Sequence, residues 1–170
     1  MADSFFIRKT VNIDNDNNFH EDPIDLGAYV DALSSSVLTI HRVDVAFTDA
    51  TGRSLSMAAA DTASVAQFQL TTQSHADNVL LSDRSVIASG KIEAYTPSIA
   101  TSPLAATSST SFDMAPQQFT NGYVVATENI YLGGSANTNF AGNVYCSVLI
   151  ECTVTKMTQS KAMSLALSQQ

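Results

Sequence analysis

NVYCSVLIECTVTK, residues 143–156, alternates with a strict period of two: Val144, Cys146, Val148, Ile150, Cys152 and Val154 are apolar, while the intervening Tyr145, Ser147, Leu149, Glu151 and Thr153 are mixed. Successive side chains of a strand point to opposite faces, so this pattern predicts a long β-strand with one face in a core and the other toward solvent or a neighbour. A strand of this length, apolar along one entire face, belongs in the middle of a sheet. The two cysteines, Cys146 and Cys152, lie on the core face. Six residues of strand separate their backbones by roughly 20 Å, far beyond the reach of a disulfide, so they read as small buried hydrophobes.

Similar patterns recur toward the N-terminus. FFIRKTVNI (Phe5–Ile13) is rich in β-formers. VLTIHRVDVAFT (Val37–Thr48) carries Leu38 and Ile40 on one parity and Val43, Val45 and Phe47 on the other, which predicts a β-bulge at His41 and Arg42. VAQFQLTTQ (Val65–Gln73) alternates Ala66, Phe68 and Leu70 with Val65, Gln67 and Gln69. SVIASGKIEAY (Ser85–Tyr95), interrupted by Gly90, and YVVATENIYL (Tyr123–Leu132) are further candidate strands, and GRSLSMAA is a fainter one. GGSANTNFAGN reads as the turn into the final strand.

Helical periodicity is scarce. Leu26, Tyr29, Val30 and Leu33 follow the i, i+3, i+4, i+7 pattern behind Asp25 as a cap, which predicts a short helix over residues 25–34. SKAMSLALSQQ at the C-terminus is a second candidate, too short to persist unless it docks. Residues 96–122 hold three prolines and a single charge, Asp113, and predict one long loop. Ile99, Leu104, Phe112, Met114 and Phe119 would anchor it to its own domain or to a neighbour.

The chain has 170 residues, enough for a single domain spanning 1–170 with short terminal extensions, burying roughly 70% of its unfolded surface. Only 14% of residues are charged, against a usual ~25%, so the surface is largely neutral and suits contact with other subunits. Eight basic residues face sixteen acidic ones, and the only adjacent basic pair is Arg8 and Lys9. Nothing resembles the basic arm with which proteins displace counterions from phosphates, so strong direct nucleic-acid binding is not expected. The N-terminal apolar run is too short for a signal peptide, and no apolar stretch approaches the ~20 residues that span a bilayer, which predicts a protein made in soluble form in a cytoplasm without a transmembrane segment.

Catalytic signatures are missing from the sequence. His20, His41 and His75 form no H-x-H pair, and there is no nucleophile elbow, phosphate loop or C-x-x-C. The chain is therefore not expected to be an enzyme, and no catalytic, cofactor-binding or metal-binding residue is assigned. In DNDNNFHEDPID, Asp14, Asp16, Asn18, Asp22 and Asp25 fall at positions 1, 3, 5, 9 and 12 of a calcium loop. Phe19 stands where such a loop needs glycine, Pro23 intrudes, and aspartate replaces the bidentate glutamate, so a solvated acidic turn is the better reading.

Taken together, the strands, their long connections and the closing strand predict an all-β antiparallel β-sandwich, a single jelly roll of about eight strands. From about Phe5 to Met157 the chain resembles, in pattern and composition, the single jelly-roll capsid proteins of icosahedral viruses. The resemblance implies a virion structural protein that self-assembles into a large homo-oligomer, other virion proteins being the further partners it allows. It transfers no individual site residue, and the acidic N-terminus departs from the basic arm of many small capsid proteins. The alternative is a non-catalytic β-sandwich binding module for glycans or a receptor, fibre- or lectin-like; against it, the chain has no tryptophan for a sugar platform.

Overall fold

A computed structural model describes residues 4–31, 35–96, 106–108 and 117–169. It contains the strands β1 (Phe5–Asp14), β2 (His20–Asp25), β3 (Ser36–Thr48), β4 (Thr62–Thr71), β5 (Val86–Thr96), β6 (Ala106–Ser108), β7 (Gln117–Val125), β8 (Asn129–Ala136) and β9 (Val144–Lys156), followed by the helix α1 (Gln159–Ser168).

The antiparallel pairing is nested: β1 with β9, β2 with β8, β3 with β7, and β4 with β5. The chain therefore behaves as one long two-stranded ribbon folded at the β4–β5 connection and then rolled up. Rolling brings β3 against β9 and β4 against β8, closing two sheets of order β1-β9-β3-β7 and β2-β8-β4-β5-β6. That winding is a jelly roll, packed as a β-sandwich.

The core between the sheets consists of the faces the alternation selected. Val144, Cys146, Val148, Ile150 and Cys152 are all buried, and β9 lies between β1 and β3. Phe47 of one sheet meets Phe68 of the other edge-on, with ring centroids 6.2 Å apart. The bulge also falls where the parity switches. Ile40 pairs with Cys152 and Arg42 with Glu151, which leaves His41 as the extra residue and keeps Ile40 and Val43 both facing inward.

Several expectations require correction. The helix over 25–34 does not form within the described residues; Leu26 instead accepts hydrogen bonds from the amides of Tyr29 and Val30 in a single turn. Burying Leu26 and Val30 needs only that one turn. Asp25 caps no helix: it ends β2 and accepts from the Gly27 amide at 2.8 Å, as a turn aspartate does. Strand β2 itself runs through Pro23 in the acidic stretch, which is tolerated because β2 lies at a sheet edge.

The expected strand over 123–132 divides into the end of β7 and the start of β8, and Gly133–Ala136 extend β8 instead of forming a turn. Gly134 permits a close approach there, since a Cβ on it would lie 2.3 Å from the Gln67 carbonyl oxygen. GRSLSMAA supplies only an isolated bridge from Met57 to Phe140. The loop expected over 96–122 is shorter at both ends: Thr96 closes β5 and Gln117–Gly122 belong to β7, with β6 between them. Phe119 packs against the core from β7, whereas Ile99, Leu104, Phe112 and Met114 lie outside the described residues.

Candidate functional site

The connections β1–β2, β3–β4 and β8–β9 gather at one end of the sandwich, where Asn15 donates to the Phe140 carbonyl at 3.0 Å and Met57 bridges Phe140. At this end Asp14, Asp16 and His20 bring their ligand atoms within 4.8 Å of one another. Each is already engaged in holding the turn. Asp14 accepts from the Asn15 amide, and Asp16 accepts from the Asn18 amide at 2.9 Å, the Asn18 side chain at 2.7 Å and His20 at 3.1 Å. These donors, the Asn18 side chain foremost, lower the Asp16 carboxyl to about 2. The remaining positions of the calcium-like pattern do not join them: Asp22 pairs with Lys9 at 3.2 Å and Asp25 holds Gly27. Phe19 instead packs its ring over Gly133 of β8.

At the opposite end, the β4–β5 connection assembles serine, histidine and aspartate without making a nucleophile. Ser85 Oγ donates its one proton to Asp83 at 2.7 Å, so His75 Nε2, 2.8 Å away, must donate to Ser85. A triad needs the reverse, a serine donating to an unprotonated imidazole that an acid orients from its far side. Ser85 is also fully buried. The group acts as a brace, together with Glu21, which accepts from the Ser74 hydroxyl at 2.6 Å and from the His75 amide at 3.2 Å. His41, at the bulge, bonds Thr153 at 2.9 Å.

The outward faces of both sheets combine neutral, mutually hydrogen-bonded side chains with a few charges, Arg42–Asp44 on one and Lys91–Glu93 on the other. Thr10 and Ser147 share a hydrogen bond of 2.8 Å, Thr39 and Thr155 one of 3.0 Å, and Gln67 donates to Ser135 at 3.1 Å. On the four-stranded sheet, cross-strand pairing sets Leu149 between Arg8 and Asp44, and Ser147 between Thr10 and Ala46. The small residues of the second row leave a depression of about 360 Å³ against Leu149. Arg8 reaches over Phe6, and Arg42 pairs with Asp44 at 2.9 Å.

Across the sandwich, the β4–β5 connection folds onto the outer face of the five-stranded sheet. Gln69 accepts from the Val79 amide at 2.9 Å and donates to its carbonyl, while Asn78 donates to Ser135 at 3.0 Å. Held this way, Leu80 and Leu81 project outward, 80% and 71% exposed. The C-terminal helix docks beside the end of β7: Ala162 is buried against Val37 and Ala126, while Met163 and Leu167 remain exposed. No helix among the described residues is long and apolar enough to cross a membrane.

No protein-family model matches this chain, and no curated protein matches it in sequence.

Proposed function

We propose that the chain is a virion structural protein, a shell subunit that assembles with copies of itself. The observation that carries this reading is the pairing of a jelly-roll winding with sparsely charged outer faces and exposed apolar side chains. Leu80, Leu81, Phe6 and Leu167 lie in water on the isolated chain. Of these, Leu80 and Leu81 are adjacent and supply an apolar surface that a protein contact would cover, whereas Phe6 and Leu167 are exposed singly on other faces. Hydroxyl and amide ladders such as Thr39–Thr155 and Gln67–Ser135 carry no charge to desolvate when a neighbour covers them.

Function on this reading resides in the surfaces and termini of the sandwich. Electron microscopy and light scattering of the purified full-length protein provide the test, with closed shells or rings as the expected result. Monomers at every concentration would overturn the proposal and favour the glycan- or receptor-binding module instead.

A further inference from the structure

We propose that Asn121–Gly122 is a site of spontaneous covalent modification, at which the chain converts its own Asn121 to aspartate and isoaspartate through a succinimide. Asn121 is the only asparagine of the sequence that glycine follows. The reaction needs a backbone free to bend at the pair, and the sheet provides one. Along the β3–β7 ladder Ile40 pairs with Tyr123 and Arg42 with Gln118, so residues 119–122 stand opposite His41 alone. In so wide a bulge the regular ladder no longer fixes the backbone. Strand β7 is also the edge of its sheet. Asn121 is exposed, and its side chain makes no hydrogen bond among the described residues.

The fold itself demands the glycine. Gly122 has a φ of 74°, in the left-handed region, and a Cβ on it would collide with Thr39 Cγ2. The residue that packing requires here is also the one whose nitrogen is least shielded by a side chain. That nitrogen can therefore approach the Asn121 carboxamide and close a five-membered ring.

In the first step the Gly122 nitrogen attacks Asn121 Cγ. The N–Cγ bond forms, the Cγ–Nδ2 bond breaks, and the backbone amide proton leaves with Nδ2 as ammonia. Water, the one co-reactant, then opens the ring at either carbonyl. Cleavage of the N–Cγ bond yields aspartate. Cleavage between the nitrogen and the backbone carbonyl carbon of Asn121 yields isoaspartate, with the chain running through Cβ and Cγ. Either product adds a carboxylate beside the neutral Gln118 and Thr120, and isoaspartate lengthens the backbone where the ladder is already interrupted. Aged protein thus presents a different β7 edge from newly made protein, whether or not the chain is a shell subunit.

The test follows the full-length wild-type protein through a timed incubation in mildly alkaline buffer, read by peptide mapping and mass spectrometry. Native protein should lose the Asn121 amide at a rate within severalfold of the same chain unfolded in urea. Both acids should appear, isoaspartate in excess, together with free ammonia. Asn121→Gln, whose longer side chain needs a six-membered ring, should keep the wild-type melting temperature and release far less ammonia. An amide that persists in the native protein while the unfolded chain converts would mean that the bulge is held rigidly, and overturns the proposal. Aspartate formed without isoaspartate, or ammonia released equally by the variant, overturns it as well.

Discussion

The side chain of Gln169 extends the hydrogen-bonded edge of β7, accepting from the Ala126 amide at 2.9 Å and donating to the Val124 carbonyl at 2.7 Å. Its own carbonyl accepts from Thr72 Oγ1 at 3.0 Å, so one residue joins α1, β7 and the end of β4. Gln169 is 5% exposed, and the groups it satisfies are shielded from water.

Gln169→Ala leaves those two backbone groups unpaired and should lower stability by about 1–3 kcal/mol. Because α1 has little else to hold it than Ala162 and its neighbours, the helix should also become protease-sensitive before the sandwich melts. Circular dichroism melts and timed proteolysis of the variant check both; a helix as resistant as in wild type would refute the anchoring role.

Both cysteines should remain thiols that react only on unfolding. Burial raises the Cys146 thiol well above its ordinary range, and burial with the nearby Glu151 carboxylate pushes Cys152 up to about 12. At pH 8 neither should take up a thiol reagent within the dead time of a native labelling experiment. Val148→Asp, on the same face, places a charge at a position 3% exposed and should cost several kcal/mol, read as loss of soluble folded protein.

Deleting His41 should be tolerated. The deletion leaves Ile40 opposite Cys152 and Arg42 opposite Glu151, so every inward residue of β3 stays inward. What is lost is the His41–Thr153 bond, worth about 1 kcal/mol and a fall of roughly 2–4 °C in melting temperature. Deleting Asp44 from the same strand turns Val45 and Phe47 to the wrong face or displaces everything before them, and should prevent folding. Expression and melting of the two deletions make the comparison.

Asp16 sets an acid limit on the β1–β2 turn. Its carboxyl is held at about 2, below the ordinary 3.8, so the ionised form is favoured by folding. The resulting stabilisation is complete above the ordinary value and is lost as pH falls from there through about 2. The melting-temperature difference between wild type and Asp16→Ala should therefore shrink on acidification below pH 4. A difference that grows on acidification would contradict the assignment.

The sequence disclosed most where burial is one-sided. The face of β9, the bulge at His41 and the alternation of β4 are direct records of which side chains meet the core. It disclosed least where pairing overrides local chemistry. In β2, Asp22, Pro23 and Asp25 all argue for a turn, yet the backbone pairs with Tyr131, Leu132 and Asn129 of β8, a partner more than a hundred positions away. Leu26 and Val30 have helical spacing because one turn suffices to bury both. The depression on the outer sheet face was illegible for a similar reason, since Ser147 and Ala46 become its floor only when β3 and β9 lie side by side.

Because β9 lies between β1 and β3, the two N-terminal strands of that sheet have no direct ladder with each other. During synthesis β1 leaves the ribosome well over a hundred residues, and β3 nearly a hundred, before the strand that joins them, so the four-stranded wall cannot close until β9 has been made. Pairings this distant also make folding slow, since the large loops must close before the contacts reward them. The outer face of that sheet thus comes into being only once β9 is in place, and no product that stops before Val144 can present it.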